Sequence, residues 1–129
     1  MQITFTIDGI PVSYNKHFKI DHYNKQVYLT EEARRYKNYV AMCVPAVTFK
    51  PNVPVSFTGV VYGNWFTKKG TIRKIDVQNM DKLLVDAIFK KIGIDDKCVF
   101  DIRMSKVQHD SKECIVVTVK EMEVYRGEK

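Results

Sequence analysis

The segment that decides the fold runs from Arg73 to Asp101 and reads RKIDVQNMDKLLVDAIFKKIGIDDKCVFD. Its apolar residues recur at the i, i+3, i+4, i+7 and i+8 spacing of a helix that packs one side against a core. This stripe consists of Met80, Leu83, Leu84, Ala87 and Ile88. Gly93 follows two lysines and is a typical helix stop. The pattern predicts a helix over roughly residues 77–92.

Further elements are predicted before this helix. Alternating apolar residues from Ile3 to Ile7 predict a first strand. Thr30 precedes two glutamates and an apolar stripe that stops at Pro45, which predicts a capped helix. An apolar run over residues 55–62 predicts another strand. Residues 11–26 show no clear period and predict a long irregular loop, with a short strand at 27–29.

Two strands are predicted after the helix. They cover residues 98–107 and 113–124, and the turn-forming segment from His109 to Lys112 between them predicts a hairpin. The order β-α-β-α-β-β then favours an α+β fold, a two-layer sandwich with a mixed or antiparallel sheet and both helices on one face. At 129 residues the chain predicts one domain over residues 1–125 and a frayed tail over 126–129.

Composition narrows the class of protein. The chain holds 21 Lys and Arg against 15 Asp and Glu, a net charge of +6 that favours an acidic partner such as nucleic acid. No apolar run approaches the length of a membrane span, and the N-terminal residues lack the features of a secretory signal. Three scattered cysteines with apolar neighbours indicate free thiols in a reducing, cytoplasmic setting, and the three histidines show no zinc-ligand spacing with them.

Polar residues concentrate on one side of the predicted helix and just beyond it. Asn79, Lys82 and Asp86 lie within about 60° of one another at 100° per residue, and Asp76 precedes the helix. A second acidic pair, 95–96, follows the glycine break. Carboxylates from two elements, with a lysine between them, suit divalent-metal-assisted cleavage of a phosphodiester. The same residues would also make an ordinary solvated helix face with an N-cap.

With its basic flank, this pattern resembles the RusA-type Holliday-junction resolvases, small homodimeric endonucleases of bacteria and phages. That family has basic residues, then D-x-D-N-x-x-K-x-x-x-D-A, and a D-D pair after the helix. The corresponding stretch here runs from Arg73 to Ala87 and is followed by Asp95 and Asp96. The loop from Pro11 to Asn15 also resembles the family's proline-serine-asparagine loop. The resemblance covers about residues 3–122.

The resemblance implies a function and a set of site residues. It implies a Mg²⁺- or Mn²⁺-dependent endodeoxyribonuclease that acts as a homodimer on four-way junctions in DNA recombination and repair. The catalytic residues would be Asp76, Lys82 and Asp96. The metal ligands would come from Asp76, Gln78, Asp86, Asp95 and Asp96. The DNA-binding residues would be Asn15, Lys16, Phe18, Lys19, Lys68, Lys69, Arg73, Lys74 and Asn79.

One departure from the family motif keeps an alternative open. The second carboxylate of D-x-D-N is Gln78 here, and its amide oxygen brings no negative charge to a cation. Asp86 or Asp95 would then supply the missing charge, or the chain binds branched DNA with weakened or lost catalysis. A third interpretation is a basic α+β RNA-binding domain whose acids are caps and surface charges.

We also predict the positions of several apolar residues outside the stripe. Val85 and Phe89 lie off the predicted core stripe and are expected at a subunit interface. Tyr62, Trp65 and Phe66 end a predicted strand and are expected in the core or at a dimer contact.

Overall fold

The computed structural model describes residues 1–10, 18–21, 26–75, 81–125 and 127, with the backbone alone for 18–21, 26–29 and 81. A 3-10 turn over Asp96–Cys98 precedes the fifth strand. The helices and strands, in chain order, are β1 Gln2–Asp8, β2 Phe18–Asp21, β3 Gln26–Leu29, α1 Glu31–Cys43, β4 Val55–Gly63, α2 Asp81–Ile92, β5 Val99–Gln108 and β6 Cys114–Glu121.

The main sheet is four-stranded and mixed. Its strand order is β1-β6-β4-β5, in which β6 runs antiparallel to both of its neighbours and β4 runs parallel to β5. Helix α2 makes the crossover between the two parallel strands, as a parallel connection requires. This arrangement confirms the predicted α+β fold with a mixed sheet.

The prediction that the last two strands form a hairpin is wrong. Both strands exist, but β4 lies between β5 and β6 and pairs with each of them. The connecting turn is tied to the end of β4, because the N–H of His109 donates to the Gly63 carbonyl at 2.9 Å. A local turn signal predicts a reversal of the chain, and it does not reveal that a distant strand inserts between the two arms.

The predicted irregular loop after β1 contains a strand that the sequence did not reveal. Strands β2 and β3 pair antiparallel in a separate two-stranded sheet, with Phe18 opposite Leu29. The short strand predicted at 27–29 is confirmed as part of β3. Residues 11–17 and 22–25 lie outside the described part of the chain.

Helix α1 begins where its cap predicts. The hydroxyl of Thr30 accepts a hydrogen bond from the Ala33 N–H at 3.1 Å, and two glutamates occupy the positive first turn. The helix ends at Cys43, just before Pro45. Ala33 and Val40 are buried, so the predicted capped helix is confirmed.

One core lies between the two helices and one face of the sheet. Every second residue of β4 is buried, and β6 contributes the buried Ile115, Val117 and Val119. The expectation that Val85 and Phe89 form a subunit interface is wrong: both are buried in the chain's own core, at 8% and 2% exposure. The Phe89 ring meets the Phe57 ring edge to face, with centroids 5.7 Å apart.

The remaining whole-chain expectations are partly tested. The three cysteines are free thiols; Cys98 and Cys114 are buried and Cys43 is half-buried. In the described part of the chain, no helix has the length and apolar character needed to cross a bilayer. Of the tail predicted over 126–129, residues 126, 128 and 129 lie outside the description.

Candidate active site

Helix α2 turns a short polar strip away from the core. Lys82 and Asp86 are exposed and stand one turn apart on the helix, at the i, i+4 spacing that places side chains next to each other. The described members of the predicted stripe, Leu83, Leu84, Ala87 and Ile88, are all buried. Packing of the apolar stripe therefore fixes the direction of the polar strip.

A glycine turn brings the chain back after α2. Gly93 adopts a φ of 76°, in the left-handed region that glycine tolerates without steric cost. The N–H of Ile94 donates to the Phe89 carbonyl at 3.0 Å, the 6→1 bond of a Schellman motif. The helix ends here, and the chain continues into the 3-10 turn, which Asp95 caps and Asp96 begins.

The two neighbouring aspartates have different surroundings. Asp95 caps the 3-10 turn by accepting a hydrogen bond from the Lys97 N–H at 3.3 Å. Asp95 lines a small depression of about 150 Å³ that also includes Lys50 and Asn52. Asp96 instead lines a different cavity beside α2. The acidic pair is therefore divided between two surfaces.

The cavity that Asp96 lines unites residues from three elements. It measures about 330 Å³, and α2, the 3-10 turn and β5 all contribute to its lining. Its polar groups are Lys82, Asp86 and Asp96; its apolar groups are Val85, Phe89, Val99 and Ile102. We call this space the α2 cavity. Two carboxylates and one ammonium group thus share a concave site with a partly apolar wall.

The donor set of the α2 cavity suits a hard cation. Asp86 and Asp96 supply carboxylate oxygens from two elements, and such oxygens are the preferred ligands of Mg²⁺. Among the residues that the structure describes, no group of three His, Cys, Asp or Glu side chains is gathered closely enough to hold a metal. Asp76, Gln78 and Asn79, three further predicted site residues, lie outside the described ranges.

The basic segment between β4 and α2 is a compact hairpin. Phe66 and Ile72 form an antiparallel bridge, and we call residues 64–74 the 64–74 hairpin. The N–H of Thr67 donates to the Thr71 carbonyl at 2.7 Å, and the two threonine hydroxyls are 2.6 Å apart. Gly70 closes the tip with a φ of 82°. The basic residues are therefore carried by an ordered element.

The predicted DNA-binding residues fall into two groups. Lys68, Lys69, Arg73 and Lys74 are all exposed on the 64–74 hairpin. Phe18 and Lys19 belong to β2, where the backbone alone is described. Asn15 and Lys16 lie outside the described residues, as does Asn79.

Lys106 is a residue of this region that sequence reasoning missed. Its Nζ lies 5.2 Å from the centroid of the Trp65 ring and donates to the Ile75 carbonyl at 2.9 Å. Lys106 therefore links β5 to Trp65 at the start of the hairpin and to Ile75 just after its end. No local sequence signal marks it, since a lysine on a strand usually points to solvent.

An α+β domain with two carboxylates and a lysine around one cavity, and with a basic hairpin, has the features expected of an enzyme that cuts nucleic acid. The family model described as "Endodeoxyribonuclease RusA" matches residues 8–120, and the chain belongs to this family. Membership confirms the resemblance noted from the motif and implies Holliday-junction resolvase activity, hence binding of four-way DNA. No curated protein matches the chain.

Proposed function

We propose that this chain is a metal-dependent, structure-selective endonuclease that resolves four-way DNA junctions by hydrolysing phosphodiester bonds. The observation that carries the proposal is the meeting of Lys82 and Asp86 from α2 with Asp96 from the 3-10 turn in one cavity. These are three of the residues that the family motif predicts, and two separate elements deliver them to one place.

Asp96 and Asp86 are the described side chains that would hold the cation, with Asp76 and Gln78 completing the ligand set from the motif. A bound Mg²⁺ or Mn²⁺ supplies Lewis-acid chemistry, lowering the pKa of a coordinated water and offsetting phosphate charge. Gln78 leaves the motif one carboxylate short. Asp86 replaces that charge better than Asp95, because Asp86 shares the cavity with Asp96 and Asp95 lines another depression.

Lys82 provides positive charge at the same cavity. Its ammonium group would bind a non-bridging oxygen of the scissile phosphate and stabilise the negative charge that builds up in the transition state. Val99 and Ile102 form an apolar part of the same lining.

The active form would be a homodimer. A four-way junction has approximate two-fold symmetry, and its resolution needs two symmetric cuts. Two copies of the α2 cavity related by a two-fold axis would place one cavity at each of two opposed strands.

The test is cleavage of a synthetic four-way junction in Mg²⁺ or Mn²⁺, with linear duplex of the same sequence and RNA as competitors. Paired cuts in opposed strands, lost on chelation and resistant to duplex competitor, are the expected result. Equal competition by RNA would favour the RNA-binding interpretation. Selective junction binding without cuts at any metal concentration would favour a second candidate, a branched-DNA-binding protein that has lost catalysis. The observation behind this candidate is Gln78, which replaces a motif carboxylate with an uncharged amide.

A further inference from the structure

The 64–74 hairpin carries an apolar pair that the α2 cavity does not use. Phe66 is 44% exposed and Ile72 is 68% exposed. Because they face each other across an antiparallel bridge, their side chains lie on the same face of the hairpin, with Cβ atoms about 5 Å apart. Two neighbouring apolar side chains thus project from a polar, basic element.

The hairpin is built to hold this pair in place. Trp65 is only 4% exposed and anchors its base, since its indole N–H donates to the Val107 carbonyl at 3.0 Å. The Trp65 N–H also donates to Oε1 of Gln108 at 2.8 Å. Across the hairpin, the Arg73 N–H donates to the Trp65 carbonyl at 2.8 Å. Phe66 and Ile72 therefore protrude from a rigid support on β5.

Charge indicates what the pair meets. Residues 64–74 contain four basic side chains, Lys68, Lys69, Arg73 and Lys74, and no acid. Such a cationic surface would repel basic proteins and attract the phosphates of a nucleic acid. In intact duplex the base faces are covered by stacking, so an apolar pair finds a partner only where the stack is interrupted.

We propose that Phe66 and Ile72 form a wedge that contacts unstacked bases at the branch point of the DNA, while the surrounding lysines and arginine bind the adjacent phosphates. Apolar side chains inserted at opened base steps are a known way for proteins to recognise and hold distorted DNA. This inference rests on the proposed function and extends it, because it names the residues that distinguish a branch from linear duplex.

The position of the hairpin fits this role. Lys106, which lies against Trp65, is four residues along β5 from Ile102, which lines the α2 cavity. Four residues of a strand span about 13 Å. At 3.4 Å per step of a B-form strand, that distance corresponds to about four nucleotides. The base of the hairpin and the rim of the α2 cavity are therefore separated by a span of only a few nucleotides of one DNA strand.

The experiment compares the natural chain with a Phe66→Ala, Ile72→Ala double variant. The probe is a four-way junction with 2-aminopurine beside the branch, titrated without divalent cation so that cleavage does not compete. Linear duplex of the same sequence is titrated in parallel. Phe100→Ala is the matched control, because Phe100 is an aromatic residue of similar exposure, 59%, on β5 and outside the hairpin.

The double variant should bind the junction about tenfold or more weakly, as expected for the loss of base stacking, and should lose the 2-aminopurine fluorescence rise. Its affinity for linear duplex should change by less than about twofold, since the phosphate contacts remain. Phe66→Trp should keep both the junction affinity and the fluorescence rise. Phe100→Ala should behave like the natural chain in every titration.

Three results would overturn the wedge. They are unchanged junction affinity in the double variant, an equal loss for junction and duplex, and a change in sedimentation that shows a lost subunit contact. Thermal unfolding of each variant excludes misfolding, and Ile72→Ala alone replaces the double variant if that protein does not fold. If the natural chain neither binds nor cuts the junction, the proposed function fails; if it does both and the double variant matches it, only the wedge fails.

Discussion

The α2 cavity and the 64–74 hairpin differ in charge, in burial and in the length of chain that builds them. The α2 cavity is concave and acidic except for Lys82, and its lining comes from three elements spread over residues 82–102. The hairpin is convex and basic, and eleven consecutive residues form it. If the proposed function holds, catalysis would depend on packing between several elements, whereas contact with the DNA would depend on one local element.

This difference has consequences for mutation. A change in the cavity acts on a site whose parts must meet within a few ångströms, so small chemical changes should have large effects on turnover. A change in the hairpin removes one of several similar charges on an exposed surface, so its effect should be graded. The predictions below test this contrast, beginning with the cavity.

The largest effect is expected for Asp96→Asn. This variant should lose more than about 100-fold in junction cleavage, because even groups that only support a metal ligand are worth about 10- to 100-fold. Junction binding should persist or strengthen, since a charge that repels phosphate is removed. Cleavage and gel-shift assays on the same junction give both quantities.

Asp95→Asn is the matched control for that variant. Asn caps helical turns about as well as Asp, so the turn should remain intact, and residue 95 lines the other depression. Cleavage should stay within about threefold of the natural chain. If Asp95→Asn were as inactive as Asp96→Asn, the division of the acidic pair between two surfaces would not describe the active protein.

A smaller effect is expected from the compensation between Asp86 and Gln78. Asp86→Asn should reduce cleavage at limiting Mg²⁺ by about 10- to 100-fold, because affinity for a hard cation rises with the charge of its ligands. Gln78→Asp alone should give little gain, since a further acid crowds like charges. The combination of Asp86→Asn with Gln78→Asp should recover much of the loss. A Mg²⁺ titration of the natural chain, the two single variants and the double variant checks this. If the double variant does not recover cleavage, residue 78 does not bind the metal.

The hairpin charges should produce a graded effect on binding. If a dimer neutralises four to eight phosphates, log K should fall with log salt at a slope of about −4 to −7. Replacing Arg73 and Lys74 with Ala removes up to four contacts per dimer and should flatten the slope by as much as 3 to 4. Arg34→Ala with Lys120→Ala removes the same charge from exposed sites elsewhere and should leave the slope nearly unchanged.

The smallest effect is expected at the hairpin tip. A Cβ at residue 70 would meet no atom within 4 Å, so Gly70→Ala acts only through its φ of 82°. A left-handed residue with a Cβ costs about 1–2 kcal/mol, which should speed amide exchange at Thr67 and Gly70 by about 5- to 30-fold. Gly70→Asn should lie closer to the natural rate, because Asn tolerates this region better. Equal exchange in all three proteins would mean that the tip does not control hairpin order.

Local signals in the sequence were sufficient for the helices. The Thr30 cap, the apolar stripe of α2 and the Gly93 stop each depend on residues within a few positions of one another, and the structure has all three. The packing of one element against another was not predictable from such local signals. Helix α2 packs against α1 as well as the sheet, so its buried sector is wider than one stripe and includes Val85 and Phe89.

The candidate site was also predictable only where it depends on local sequence. Lys82 and Asp86 were predicted to share a helix face, and helical periodicity is enough for that. The different surroundings of Asp95 and Asp96 follow from a 3-10 turn, whose hydrogen bond from the Lys97 N–H uses one carboxylate and leaves the other at the α2 cavity. Adjacent residues of the same type give no sequence signal of that division.

The strand order also affects how the protein is made. Of the strands that the structure describes, β1 is synthesised first and β6, its partner in the sheet, is synthesised last. β4 must likewise wait for β6 on one side and for β5 on the other. Contacts between such distant segments slow folding. The nascent chain therefore carries unpaired strands until about residue 121 has been synthesised, so the edges of β1 and β4 stay open to wrong pairing during that interval.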